Sequence, residues 1–384
     1  MTIIVKSFSL VLLLLVLKTV TAQTDTRPAP SEFDKAMTAY QKQDYATALM
    51  LWFPLASNGN IEAQFMLGNM YLKQKGDRNN PEKATHWFLQ AAQNDHVASQ
   101  LQLGKMYRQG ADIDKNNRQA LHWLLKAARA GNHDAMYLVG EMYQLGEGVN
   151  PRPPKAAYWY SRAAENNHTL AQTNLGLMFL KGDGIKKDTK QALKLLKQSA
   201  NNDNMQAILA LADMHRQGTE VDINPVKAME LYKKAAQADY SEAQFQLAEL
   251  YYQGKGIKKD HKQAIHWYRK AADQEHINAQ YALGKMYVNG YGVKRDYIKG
   301  VSLFRQAAHQ GHGQAQLDFG IACYTGKGTE KNLLQAYAWF YVAAGQGIKN
   351  AQKNKIAIYN TLLPEEKKQA ALMGYEYIKK YKAK

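Results

Sequence analysis

The sequence predicts an all-α protein, an α/α superhelical solenoid built from repeated helix pairs. Three observations predict it. The first is a period. The stretch Ala63-Gln64-Phe65-Met66-Leu67-Gly68-Asn69-Met70-Tyr71 returns in register, and its small residue recurs every 36 residues. The series runs Gly68, Gly104, Gly140, Gly176, Ala212, Ala248, Gly284, Gly320, with Ile356 in a degenerate ninth copy. A fixed period of this size marks a stacked repeat protein. The second is a face: Ala63, Leu67, Met70 and Tyr71 fall on one side of a helix. The third is a recurring Asn or Asp ahead of a second apolar pattern, where a helix N-cap belongs.

The chain of 384 residues is therefore one repeat array rather than several globular domains, since each repeat touches only its neighbours. Residues 1–22 stand apart. Lys6 gives a positive start, Phe8 to Leu17 is apolar, and Val20-Thr21-Ala22 precedes a cut ahead of Gln23, which reads as a secretory signal peptide. The run is short of the ~20 residues that span a bilayer. Residues 23–30 form a polar lead-in with two prolines. Folded structure is expected from Ser31, a good N-cap, with Phe33, Ala36 and Tyr40 on the first helix and Asp44 opening the second.

Each full unit then has a helix A, which carries the opening stretch, and a helix B. A glycine inside helix A costs about 1 kcal/mol relative to alanine. Its recurrence implies that another helix backbone comes close there. Glycine pairs follow helix A as Gly182-Asp183-Gly184, Gly254-Lys255-Gly256, Gly290-Tyr291-Gly292 and Gly326-Lys327-Gly328. Because they recur with the period they read as turns, the first glycine ending the helix in the left-handed conformation. Helix B starts at Asn80, Asn116, Asp188, Asn224, Asp260, Asp296 and Asn332, with Arg152 breaking the series. Pro81, Pro153 and Pro225 follow at the first helical position, where proline loses nothing. Inside helix B the pattern is Ala84, Trp87, Ala91-Ala92, repeated at Ala120, Trp123, Ala127-Ala128 and at Ala264, Trp267, Ala271-Ala272.

Ala-x-x-x-Leu-Gly-x-x-Tyr, Gly-x-Gly, an Asp or Asn cap and Ala-x-x-Trp-x-x-x-Ala-Ala together resemble the Sel1-like repeat, a subclass of the tetratricopeptide superfamily. The resemblance covers residues 31–363. It implies a superhelix with helix A on the concave side, and an adaptor or scaffold function. Bacterial members of this class act in host interaction, secretion and envelope assembly. Residues 364–384 read as a polar terminal helix and basic tail that covers the last apolar face. Its acidic start (Glu365, Glu366) and basic end (Lys379, Lys380, Lys382, Lys384) suit the helix dipole.

The site chemistry is mostly negative. Eleven histidines include two periodic sets, His96, His168, His276, His312 and His86, His122, His266, which reads as architecture. There is no His-Glu-x-x-His or Cys-x-x-Cys, and no serine has lysine three residues on. No metal, no cofactor and no enzymatic activity are expected. The β-lactamase-like relatives of the family carry paired cysteines, whereas this chain has only Cys323, expected as a buried inert thiol. The formal net charge is +17, and loss of Lys6 and Lys18 leaves +15 (17 − 2). That favours anionic partners: acidic protein faces, lipid head groups or anionic polysaccharide in the envelope or on a host surface. Nucleic acid is not expected for an exported protein.

Two candidate binding surfaces follow. By the resemblance, the concave groove is lined by helix A positions off the packing face. One row is Phe65, Leu101, Tyr137, Phe245 and Tyr281; a second is Asn69, Lys105, Glu141, Glu249 and Lys285; a third includes Tyr252 and Tyr324. Aromatics with interspersed charge suit a protein partner; half-buried packing is the other reading of the first row. The second surface is a basic loop edge, Lys186-Lys187, Lys258-Lys259 and Lys294-Arg295, suited to anionic glycan or lipid, or merely solvated. The expected product is an exported, periplasmic or secreted monomer with no membrane span that binds a protein partner.

Overall fold

The computed structural model describes residues 31–72, 80–110 and 113–381. The expected signal peptide, the lead-in, Lys382 and Lys384 lie outside the described residues. All regular structure among the described residues is helical. The first pair is α1 (Glu32–Gln41) and α2 (Tyr45–Ser57). Next come α3 (Ile61–Leu72) with α4 (Pro81–Gln93), α5 (Val97–Gln109) with α6 (Asn117–Arg129), and α7 (His133–Leu145) with α8 (Pro153–Glu165). Then follow α9 (Thr169–Lys181) with α10 (Thr189–Asn201), and α11 (Met205–Gln217) with α12 (Pro225–Gln237). The last full repeats are α13 (Ser241–Gln253) with α14 (His261–Asp273), α15 (Ile277–Asn289) with α16 (Tyr297–His309), and α17 (Gly313–Thr325) with α18 (Leu333–Gly345). The short α19 (Ala351–Thr361) and the long α20 (Pro364–Tyr381) close the chain. The architecture is an all-α repeat solenoid.

Contacts divide the chain into two units, Met1–Val139 with Glu147–Asn150, and Gly140–Gly146 with Pro151–Lys384. In the first unit the core runs through Trp52, Leu67, Phe88 and Leu103, all fully buried. In the second it runs through Tyr232, Leu247 and Tyr268 and continues through Phe304, Trp339 and Phe340.

Local chemistry explains the boundaries. Ser31 closes a capping box with Asp34 on α1. Asn80, Asn116, Asp188, Asn224, Asp260, Asp296 and Asn332 each accept a backbone hydrogen bond in the first turn of helix B, satisfying an otherwise free N–H. Arg152 makes no such bond, and there Pro153 alone starts the helix. Gly182, Gly254, Gly290 and Gly326 end helix A in the left-handed conformation. The second glycine has its own reason. A Cβ at Gly184 would lie 2.4 Å from Pro153, and one at Gly256 would lie 2.3 Å from Pro225. Each turn therefore rests on the start of the preceding helix B.

The helix backbone expected beside the helix A glycine is close at Gly104, Gly176 and Gly284, where the Ala120, Ala192 and Gly300 carbonyl oxygens would lie 2.9–3.4 Å from an added Cβ. At every helix A glycine the side chain twenty residues on comes closer still. A Cβ would meet the Phe88 ring from Gly68, Leu124 from Gly104, Tyr160 from Gly140 and Phe340 from Gly320, at 2.4–2.7 Å. Only at Gly284 is a backbone atom nearly as close, the Gly300 carbonyl oxygen at 2.9 Å. The residue after the tryptophan position is thus the knob of the repeat, and it is more deeply buried than the tryptophan in each copy that has one except the last, where Trp339 and Phe340 are both buried. Trp87 is half-buried whereas Phe88 is fully buried.

A polar ladder also threads the core. Gln64, Gln100, Gln172, Gln244 and Gln316 are buried, and each donates from Nε2 to the carbonyl eight residues earlier, at 3.0–3.4 Å. Gln274, Gln310 and Gln346, at the ends of helices B, donate to Oε1 of Gln244, Gln280 and Gln316 at 2.9–3.0 Å. Where the helix B end holds another residue, Oε1 of Gln64, Gln100 and Gln172 has no partner.

Candidate functional site

Helix A leaves its packing face inward, and the opposite positions shape the candidate site. In the second unit, Phe245, Glu249 and Tyr252 of α13 and Tyr281 and Lys285 of α15 line one open recess of about 280 Å³. These five residues are members of the three rows read from the repeat register. Tyr324 lines another recess with Ile321, of about 250 Å³, and is half exposed. A recess of about 300 Å³ between them is lined by Lys285, Val288, Asp318, Ile321 and Lys327. Val288 and Ile321 lie in the third and second rows and were overlooked, because the copies change chemistry at those positions.

The first row packs as well as lines. Phe65 lies 4.8 Å from the His96 ring, Phe245 4.8 Å from His276, and Tyr281 4.5 Å from His312, centre to centre. The histidines are helix A N-caps: Nδ1 of His96, His168, His276 and His312 accepts a first-turn N–H. Their periodicity is architectural, as expected. Burial lowers the His312 pKa. Leu101 is buried, which leaves it to the core, and Asn69 is buried with Nδ2 donating to the Phe65 carbonyl. Tyr137 and Glu141 on α7 and Lys105 on α5 are partly buried.

The second row varies from copy to copy. Part of its variation has an internal cause. Tyr232 donates to Asp213 at 2.6 Å, and the Tyr268 hydroxyl donates to Glu249. An acid thus stands in the second row where the helix B knob is tyrosine. Burial is the main reason that the Tyr268 and Tyr232 hydroxyls hold their protons well above the usual tyrosine range. Tyr281 donates to Asp318 at 3.0 Å, and Lys285 stands 5.6 Å from the centre of the Tyr281 ring. Burial raises the Asp318 pKa.

The basic loop residues Lys186, Lys187, Lys258, Lys259, Lys294 and Arg295 are all exposed. Lys259 lies over the Tyr252 ring at 5.8 Å. Cys323 is buried, its thiol pushed up to about 11 by burial, and it donates to Gln335. Among the described residues no three His, Cys, Asp or Glu side chains gather as metal ligands do, and no helix is long and apolar enough to cross a membrane.

Comparison with protein families matches the Sel1 repeat at residues 61–96, 97–132, 133–168, 169–204, 206–240, 241–276, 277–312 and 313–348. The chain belongs to the Sel1 repeat family. Sel1 repeat proteins generally mediate protein–protein interaction and are typically non-enzymatic scaffolds. Among solved structures, this Sel1 repeat chain is similar to a protective antigen present in uropathogenic Escherichia coli strains displaying an SLR fold. The two share 30% identity and a TM-score of 0.61, over 92% of this chain and 84% of that one. It is also similar to a Sel1 repeat protein from Oxalobacter formigenes, with 26% identity and a TM-score of 0.67, over 82% of this chain and 92% of that one. Comparison with curated proteins gave no match.

Proposed function

We propose that this chain is an exported, non-enzymatic scaffold that binds a protein partner on the helix A face, in a bacterial envelope or outside the cell. The observation that carries the reading is the recess between α13 and α15, where Phe245, Glu249, Tyr252, Tyr281 and Lys285 converge. Aromatic rings beside charge are what protein-binding sites use. Export rests on the sequence of residues 1–22 and on the likeness to an antigen, a protein that meets a host. The test is a pull-down from envelope or host extract with the full chain. Tyr252→Ala with Lys285→Ala loses the partner while keeping the helical melt. Retention of every partner by the double variant removes this site from the reading. Secretion is checked by mass spectrometry of the expressed protein, whose N-terminus is expected at Gln23; an intact Met1 defeats export.

A second reading has its own observation. All six basic loop residues are exposed, and they recur at the repeat period. An anionic glycan or lipid head group is their natural ligand. Binding lost on neutralising Lys258, Lys259, Lys294 and Arg295, and steeply weakened by salt, favours this reading over the recess.

A further inference from the structure

The three recesses are neighbours in the second unit. Lys285 lines both the first and the second, and Ile321 lines both the second and the third. They follow one another along α13, α15, α17 and α19. Each also contains an asparagine, Asn278, Asn289 or Asn354. An amide offers both a donor and an acceptor, as a peptide backbone does. The third recess holds no charged residue, and Ile321 and Tyr324 stand 40% and 49% exposed at its mouth.

Charge decides what suits the middle. The two carboxylates nearby, Glu249 and Asp318, already accept from Tyr268 and Tyr281 of this chain. Lys285 and Lys327 line the second recess and are exposed, and although the Lys285 charge acts on the Asp318 carboxyl, burial still raises that carboxyl's pKa. A chain of net charge +17 adds a field of the same sign. Deepening the scaffold reading on which it rests, we propose that the three recesses are one groove for an extended peptide segment of a partner. The segment carries an acidic residue at Lys285 and Lys327 next to an aliphatic or aromatic residue seated against Ile321 and Tyr324. An extended segment advances about 3.3 Å per residue, so a heptapeptide is long enough to probe adjacent recesses.

The test pans a random heptapeptide phage library against the full chain and measures the enriched sequence, as a fluorescein-labelled peptide, by anisotropy. Asp or Glu beside an apolar residue is expected. Ile321→Asp, an exposed change that touches two recesses, weakens binding at least tenfold with an unchanged thermal melt. Lys285→Glu with Lys327→Glu turns the preference toward lysine-bearing peptides. No enrichment, basic consensus sequences, or a consensus peptide that binds Ile321→Asp with unchanged Kd overturns the inference. A protein partner captured in the pull-down that is indifferent to Ile321→Asp also overturns it, and leaves the scaffold reading standing.

Discussion

Tyr281 on α15 donates its hydroxyl hydrogen to Asp318 on α17 at 3.0 Å, joining helix A of one repeat to helix A of the next. Burial holds the Asp318 carboxyl above the usual aspartate range. The folded chain therefore keeps this proton to higher pH than the unfolded chain. The resulting stabilisation is complete below the unfolded pKa near 3.8 and is lost as pH rises through the folded value. Asp318→Asn keeps an acceptor for Tyr281 and carries no charge. It should be more stable than wild type at pH 7, with the gap closing toward pH 4. Urea melts at the two pH values check this, and a pH-independent gap refutes it.

The helix A glycines should differ in tolerance. At Gly284 an added Cβ meets the Phe304 ring at 2.8 Å and the Gly300 carbonyl oxygen at 2.9 Å, neither of which gives way easily. Overpacking of about 1–3 kcal/mol exceeds the ~1 kcal/mol that alanine gains in a helix. Gly284→Ala is therefore expected to destabilise. Gly176 faces Leu196 at 3.0 Å, a side chain that can turn aside. Gly176→Ala should be near neutral or stabilising in the same denaturant melts.

Leu175 lies in the packing face of α9 and is 5% exposed. Leu175→Ala should cost roughly 2–5 kcal/mol as a large-to-small core change. Lys258→Ala, on an exposed loop, should stay within about 0.5 kcal/mol. Equal effects would mean that the packing face is wrongly assigned.

The glutamine ladder can be extended. Gln100 Oε1 is buried without a donor, and Ala130 ends α6 where Gln310 ends α16 and donates to Gln280. Ala130→Gln supplies the missing donor. A stabilisation of about 1 kcal/mol is expected, the usual net worth of a hydrogen bond, and an unchanged urea midpoint would show that the amide does not reach.

Much of the site was legible because register carries from copy to copy. Phe245, Glu249, Tyr252, Tyr281 and Lys285 were projected from a single helix A template and meet at one recess. Ile321 and Val288 escaped because the same positions hold charged or aromatic residues in other copies, so pattern alone gave no reason to single them out. The knob at Phe88, Leu124, Tyr160 and Leu196 escaped for a related reason. Three residue types share one task, and only size and burial unite them. Glu249 looked like a residue left to a ligand, yet its acid matches the tyrosine at 268, a pairing between separate helices that periodicity does not reveal.

The sequence by itself determined the repeat, its period, the helix boundaries and the packing face. Those depend on local rules: caps, left-handed glycines and a helical spacing of apolar residues, each read within a few positions. Only the tertiary structure decided what the small residue accommodates, which second-row acids are already engaged, and that Lys285 and Ile321 each belong to two adjoining recesses. Those depend on side chains from different helices meeting at a distance of a few ångströms, and the period places such residues in register without saying which atoms touch.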